Sequence, residues 1–439
     1  MKTTNLYRHQ KDALEATKQL NHCAYYHPMG SGKTFTGSEK LYQLGAKVNL
    51  VICQKSKIED WIEHFRNLYP CHSLDLTDKT GLIAFWEYQK LTAPQMIIGV
   101  INYELAFRRP ELLQLKNFTL MLDESSLIQN EKAKRSKFIL KLQPKNVILL
   151  SGTPVGGKYE RLISQMHLLG WKISEKIFYN QYVDYHYEDV NGFPLMVIDG
   201  YKNVDRLKRK MRAYGCHFLQ QEDLFELPEQ VEQTIRIPTT KEYRIFRKDC
   251  IVKIPYSQLE PGKHPDGTYL ELVGDSTLTK MLYERQLCGQ YNTDKLEAFR
   301  DLVESTEDRL IVFYNFNAEL NALFTICKAL ERPISVVNGA YKGLYSYENC
   351  SDSITFIQYQ AGAMGLNLQK ANKIIYYTPP LSSELFEQSK KRTHRIGQNR
   401  TCFYYYLTCK GSVEEKIYKT LAMRKDYTEF LFKEGEQDD

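Results

Sequence analysis

At 439 residues, with 43% apolar and 26% charged side chains, the chain has the make-up of a soluble globular protein too long for one ordinary core, so two or three domains are expected. No apolar run reaches the ~20 residues of a bilayer-crossing helix, and the polar start Met1 to Asn5 lacks a signal-peptide core, so the protein is expected to stay in the cytoplasm where it is made. The net charge of +6 permits nucleic-acid binding without demanding it, and ten cysteines without a C-x-x-C pair exclude a zinc ribbon or a dithiol redox motif.

In chain order, apolar runs that end in polar or glycine-rich turns alternate with helical patterns from Tyr25 to Ser151: "HCAYYHP", "KVNLVICQ", "QMIIGVIN", "FTLMLDES" and "NVILLSGT". Buried strand, loop and helix in that rhythm predict a parallel α/β sheet. Residues 158–225 then read mainly as helices, with the basic run "KNVDRLKRKMRAY". Residues 251–275, rich in Pro and Gly, read as a linker with a hairpin at Asp266-Gly267. A second series, "RLIVFYN", "PISVVNG", "SITFIQY", "NKIIYYT" and "CFYYYLT", predicts a second α/β lobe. The expected division is a first lobe at 1–157, a helical insertion completing it at 158–250, a linker with a hairpin at 251–285 and a second lobe at 286–439.

Chemistry concentrates where strands end. "YHPMGSGKTF" follows a strand and opens a helix. Gly30, Ser31 and Gly32 are small enough to turn backbone N–H groups toward a phosphate, Lys33 supplies charge to the outer phosphates, and Thr34 can place a hydroxyl on Mg²⁺. Its oddity is His27, which stands where such loops usually carry their first glycine. Asp123 and Glu124 end "FTLML", so both would emerge at the carboxyl edge of the sheet, Asp123 to hold the metal and Glu124 to act as base. Ser151 and Thr153 leave the next strand at the same edge. In "FEQSKKRTHRIGQNR", Gln388, Arg392 and Arg395 are spaced by four and three, which predicts one helical face. A basic helix is usually a solvated face or a phosphate-backbone binder, but a two-lobe nucleotide hydrolase also needs cations delivered to the γ-phosphate, and these fit. Thirty-one tyrosines are open to two readings, as stacking platforms for bases or as compositional bias. The basic runs at 131–142 and 202–214 could equally track DNA or face solvent.

Taken together and in this order, the motifs resemble the superfamily-two helicases, and within them the Swi/Snf family of DNA translocases, over nearly the whole chain. "LYRHQKDAL" is similar to the adenine-reading segment and "MGSGKT" to Walker A; "VINYEL", "LDESSLIQN", "LLSGTP", "QYQAGAMGLNLQKANKIIYY" and "QSKKRTHRIGQ" are similar to the motifs that follow. "THRIGQ" is the most specific of them. The resemblance implies two RecA-like lobes using Mg·ATP, with Gln10 on the base, Gly365 near the nucleotide, and Asn102, Tyr103 and Asn315 near the nucleic-acid backbone, although a plain strand-end role suits Asn315 equally. Departures are His27, which Swi/Snf relatives tolerate as a non-glycine, Ser126 in place of a coupling histidine, Lys391 at a motif-six glycine, and "YYTPPLS" after motif five. The resemblance implies DNA, duplex favoured, as partner and a small stand-alone bacterial or phage-type member. Two rivals stay open: a strand-separating DNA or RNA helicase, and a nucleic-acid-binding scaffold with a vestigial site.

Overall fold

The computed structural model of the chain describes residues 6–92, 95–190, 193–219, 227–256, 265, 267–362, 366–395 and 397–432. The chain divides into two compact units, Met1–Phe225 with Asp426–Asp439, and Glu226–Lys425.

Unit 1 is built on strands β1 (His22–Tyr26), β2 (Val48–Cys53), β3 (Cys71–Asp75), β4 (Met96–Asn102), β5 (Thr119–Asp123) and β6 (Asn146–Ser151), then the pair β7 (Val183–Val190) and β8 (Phe193–Tyr201), and β9 (Cys216–Phe218). Seven of them form one sheet in the order β3-β4-β2-β5-β6-β1-β9, every pair parallel. Period-two alternation sorts its side chains: Leu50, Ile52, Leu120 and Leu122 join one core layer, while Val51, Cys53 and Met121 join the other. Both faces are covered, as continuous Val/Ile/Leu runs require. The helix Lys33–Leu44 lies tight on β6, because a Cβ on Gly37 would come within 2.8 Å of the Leu150 Cδ1 atom. The same helix carries Lys40, buried, whose Nζ donates to the carbonyl of Thr17 at 2.6 Å and so caps the end of the helix Arg8–Ala16.

Unit 2 contains β10 (Gln230–Ile237), β11 (Ile251–Pro255), β12 (Tyr269–Val273), β13 (Leu310–Tyr314), β14 (Ile334–Val337), β15 (Lys342–Gly343), β16 (Ile354–Gln358), β17 (Lys373–Tyr376) and β18 (Cys402–Cys409). Its seven-stranded sheet runs β10-β18-β17-β13-β16-β14-β15, parallel except for the edge strand β15. The fold is therefore α/β with two parallel-dominated, RecA-like sheets, as read from the sequence. Tyrosine fills these cores: the largest fully buried side chains include eleven tyrosines, and Tyr376 stacks on Phe313 and Tyr406 at 5.6 and 5.1 Å. That is a use neither sequence reading of tyrosine proposed.

Two expectations are corrected. Residues 158–225 are not mainly helical, because β7 and β8 pair as an antiparallel hairpin and β9 joins β1. The segments "VDYHYEDV" and "FPLMVIDGY" are rich in β-branched and aromatic residues, a strand preference that their acidic residues masked. Nor does the whole of 158–250 complete the first lobe: β10 pairs with β18 from Gln230↔Cys402 to Ile237↔Cys409, so it belongs to the second sheet. The hairpin expected within 251–285 is present as β11 and β12, from Ile251↔Val273 to Pro255↔Tyr269; Asp266 lies outside the described residues.

Candidate nucleotide site

Strand β1 delivers the chain into a tight loop. Gly30 and Gly32 take φ of 86° and 75°, the left-handed region in which a side chain is strained, and Gly32 caps the helix Lys33–Leu44 with no side-chain bond to its first N–H groups. A helix start left in that condition is suited to an anion. Lys33 Nζ donates to the carbonyls of His27 and Pro28 at 3.0 and 3.2 Å. Gly152 packs against it, since a Cβ there would lie 3.5 Å from Lys33 Nζ and 3.6 Å from the Met29 nitrogen. Ser31 is buried with its Oγ unbonded, whereas Thr34 is exposed on the first turn of the helix. An orphaned hydroxyl, two left-handed glycines and a lysine in one loop fit a nucleotide phosphate.

His27 answers the anomaly of the loop. It is fully buried, with Nε2 2.9 Å from Nδ1 of His217, just after β1 and in β9. Burial, with smaller contributions from His217, Lys33 and His9, pushes its pKa well below the usual histidine range, so it is neutral. A histidine at this position ties the loop to the neighbouring strand.

Both ends of the Gln10 amide are engaged in this structure. Its Oε1 accepts from the Tyr7 N–H at 2.9 Å, and its Nε2 donates to the carbonyls of Ser31 and Gly32, both at 3.2 Å. The amide expected to read adenine bonds to the phosphate loop.

The Asp-Glu turn follows β5. Trp61 donates its indole N–H to Asp123 Oδ2 at 2.9 Å. Burial raises the Asp123 carboxyl above its ordinary range, opposed by the Trp61 bond, then by Lys33 and Lys57. Glu124 is held at φ 53°, ψ 59°, a strained conformation for a residue with a side chain. Tyr103 supports this turn, with its hydroxyl donating to the carbonyl of Asp123 at 2.8 Å and lying 3.4 Å from that of Glu124. Tyr103, expected near a nucleic-acid backbone, is fully buried in this structure with its hydroxyl turned to the Asp-Glu turn. Asn102 is nearly buried and donates to Glu104 Oε2 at 2.9 Å. On the next loop, Ser151 Oγ accepts from the Thr153 N–H at 3.2 Å, and the Thr153 hydroxyl is buried without a partner.

The site residues of unit 2 are arranged differently from the sequence expectation. The helix Ser383–Lys390 carries Gln388, which donates to Glu384 Oε1 at 3.4 Å, and it ends before either arginine. Arg392 N–H bonds to the carbonyl of Ser389 and Arg395 N–H to that of Thr393, so the chain tightens into turns and the three side chains do not share one helical face. Arg392 is buried; Arg395 donates from Nη1 to Asn367 Oδ1, and burial lowers its pKa. The signature residues His394 and Gln398 are internal clamps: His394 Nε2 lies 2.8 Å from the Pro228 carbonyl, and Gln398 Nε2 donates to those of Gln369 and Ala371 at 3.1 and 2.8 Å. Asn315 takes the strand-end role, donating to the carbonyls of Thr378 and Pro379 at 3.2 and 3.0 Å and to Thr378 Oγ1 at 2.9 Å. Gly365 lies outside the described residues.

Sequence reasoning missed Trp61. Trp61 sits on the buried face of the helix Ile58–Leu68 with Ile58 and Phe65, where an indole N–H must find an acceptor, and that was a usable signal.

Comparison with known proteins identifies the family. The family described as SNF2-related domain matches residues 9–293, and the helicase conserved C-terminal domain matches residues 294–397. The chain is 24% identical over 448 residues to the DNA repair and recombination protein RAD26 of Saccharomyces cerevisiae, covering 94% of this chain and 40% of that protein. It is 21% identical over 446 residues to the SWI/SNF-related matrix-associated actin-dependent regulator of chromatin subfamily A member 1 of Mus musculus, covering 93% of this chain and 41% of that protein. The chain thus spans about two fifths of the length of these relatives. A solved structure described as the Sulfolobus solfataricus SWI2/SNF2 ATPase core in complex with dsDNA is 18% identical, with a TM-score of 0.44, covering 97% of this chain and 92% of that one.

Proposed function

Because the chain belongs to the SNF2-related helicase family, a family of ATPase cores, we propose that it hydrolyses ATP to move along DNA, mainly duplex. The observation that carries this reading is the meeting, in unit 1, of a left-handed glycine loop around Lys33 with Gly152 and a strained Asp-Glu turn whose carboxylate Trp61 orients. In the proposed roles, Lys33 leaves the carbonyls of His27 and Pro28 for phosphate oxygens. Thr34 and Asp123 would hold Mg²⁺, which when bound would neutralise phosphate charge, and Glu124 would take the proton of the attacking water. Arg392 and Arg395 would supply positive charge to the γ-phosphate. Gln10 would brace the loop, and phosphate contacts would set DNA affinity with little regard to sequence.

The second reading is strand separation. It is favoured by the hairpin β7–β8, whose exposed Tyr187 and Phe193 are of the kind that stack on bases. The same hairpin carries Asp184, Glu188, Asp189 and Asp199, a charge that repels a phosphate backbone, so movement along duplex is the first reading.

The test is ATP hydrolysis with duplex DNA, single-stranded DNA and RNA, beside triplex displacement and forked-duplex unwinding. Duplex DNA is expected to stimulate most and triplex to be displaced. Lys33→Ala is expected to abolish turnover, and Glu124→Gln to bind ATP without turnover; wild-type turnover by Glu124→Gln would remove it as the base.

A further inference from the structure

Gln165 lies on the helix Ile163–Leu169, in none of the motifs, and is fully buried. Its Oε1 accepts from the Tyr26 hydroxyl at 3.0 Å and the Ser125 hydroxyl at 2.8 Å, and its Nε2 donates to the Pro154 carbonyl at 2.8 Å. We propose that Gln165 is a positioning residue that locks three nucleotide-facing segments into one register: the strand before the phosphate loop, the Asp-Glu turn, and the Ser-Gly-Thr-Pro loop. The proposal rests on the ATPase reading.

The partners fix the amide. A carbonyl can only accept, so Pro154 must face the NH₂ group, and the amide oxygen then faces two hydroxyls that both donate. Each partner lies a step from the chemistry. Tyr26 precedes His27 and Pro28, whose carbonyls hold Lys33; Ser125 follows Glu124; and Pro154 lies two residues after Gly152, which packs beside Lys33. The left-handed turn at Glu124 needs bracing to persist. Tyr103 grips it through the carbonyls of Asp123 and Glu124, and Gln165 grips the next residue through Ser125. Releasing the Ser125 bond lets Glu124 relax away from where it is required. A group that only filled the core would affect stability alone.

The experiment uses the full chain with ATP and duplex DNA. Ser125→Ala removes one hydroxyl, Ser125→Thr restores it, and Gln165→Leu removes the hub. Ser125→Ala is expected to lower kcat about tenfold with KM for ATP changed by less than about twofold and little change in thermal midpoint. Ser125→Thr is expected to recover most of kcat. The double variant Ser125→Ala/Gln165→Leu is expected to be no slower than Gln165→Leu, because both act through one contact. If Gln165→Leu does not fold, the Ser125 pair decides alone. A kcat for Ser125→Ala within about twofold of wild type, or a loss that Ser125→Thr shares in full, overturns the proposal while leaving the ATPase reading intact. A wild-type chain that hydrolyses no ATP overturns both.

Discussion

Glu319 shows how one residue can set a pH dependence for a whole unit. Its carboxylate is fully buried and accepts from the Asn315 N–H at 2.9 Å, the Phe316 N–H at 3.1 Å and the Thr378 hydroxyl at 3.1 Å. Burial outweighs these bonds and pushes its pKa from 4.5 up to about 7. The folded chain therefore keeps a proton that the unfolded chain has lost, so the stability from this group is complete below pH 4.5 and declines as pH rises to about 7. The decline should be on the order of 3 kcal/mol. Glu319→Gln is expected to flatten it, leaving the variant more stable than wild type above pH 7, as urea unfolding at a series of pH values would measure. Site residues were legible to different depths. The positions of Lys33, at the head of a helix, and of Asp123 and Glu124, at the end of β5, could be read from the motifs and the strand pattern, while their roles stand as proposals. The contacts of Gln10, Tyr103 and Asn315 could not, because a sequence names a side chain without saying which carbonyl lies nearest. Tyr103 is the clearest case: the hydroxyl expected to reach outward turns inward to Asp123.

At the level of elements, unit 2 joins the helix Thr293–Glu304 to the start of the helix Val413–Phe432 through a wholly buried ion pair. Lys295 Nζ donates to both oxygens of Glu414, at 2.7 and 2.8 Å, and Cys409 N–H adds a third bond at 2.9 Å. Cys288, Cys409 and Glu414 are near enough to hold a metal ion, but Lys295 already neutralises the carboxylate. Lys295→Met leaves that carboxylate buried without its cation and is expected to cost roughly 3–5 kcal/mol, read as a lower urea midpoint for unit 2. Lys295→Met/Glu414→Leu should recover much of the loss. Elements were legible where one periodicity ruled: all ten apolar runs read as strands are strands. They were illegible where exposed side chains line both faces without an apolar-polar alternation, as in β7 and β8, or where a strand was three residues long, as in β9. The helical spacing of Gln388, Arg392 and Arg395 misled because spacing holds only while the helix lasts, and this one stops at Lys390.

For the whole molecule, the net charge of +6 and the proposed phosphate-led binding make salt the sharpest probe. Affinity for duplex of arbitrary sequence is expected to fall by roughly a thousandfold between about 50 and about 200 mM salt, linearly on logarithmic axes, with little change when the sequence is scrambled. Equilibrium titration by fluorescence anisotropy measures it, and a salt-insensitive affinity would argue against backbone recognition. Chain order adds a demand of its own through β10. This strand opens the second sheet at Gln230, yet its ladder is completed only by β18, which begins at Cys402. A ribosome releases the first rail of that ladder long before the second, so the nascent chain must carry an unzipped edge throughout the interval, and pairing across so wide a gap is slow. Truncation between Ile237 and Cys402 should therefore strand β10 and yield insoluble product, making the late segment a gatekeeper of biogenesis as much as of shape.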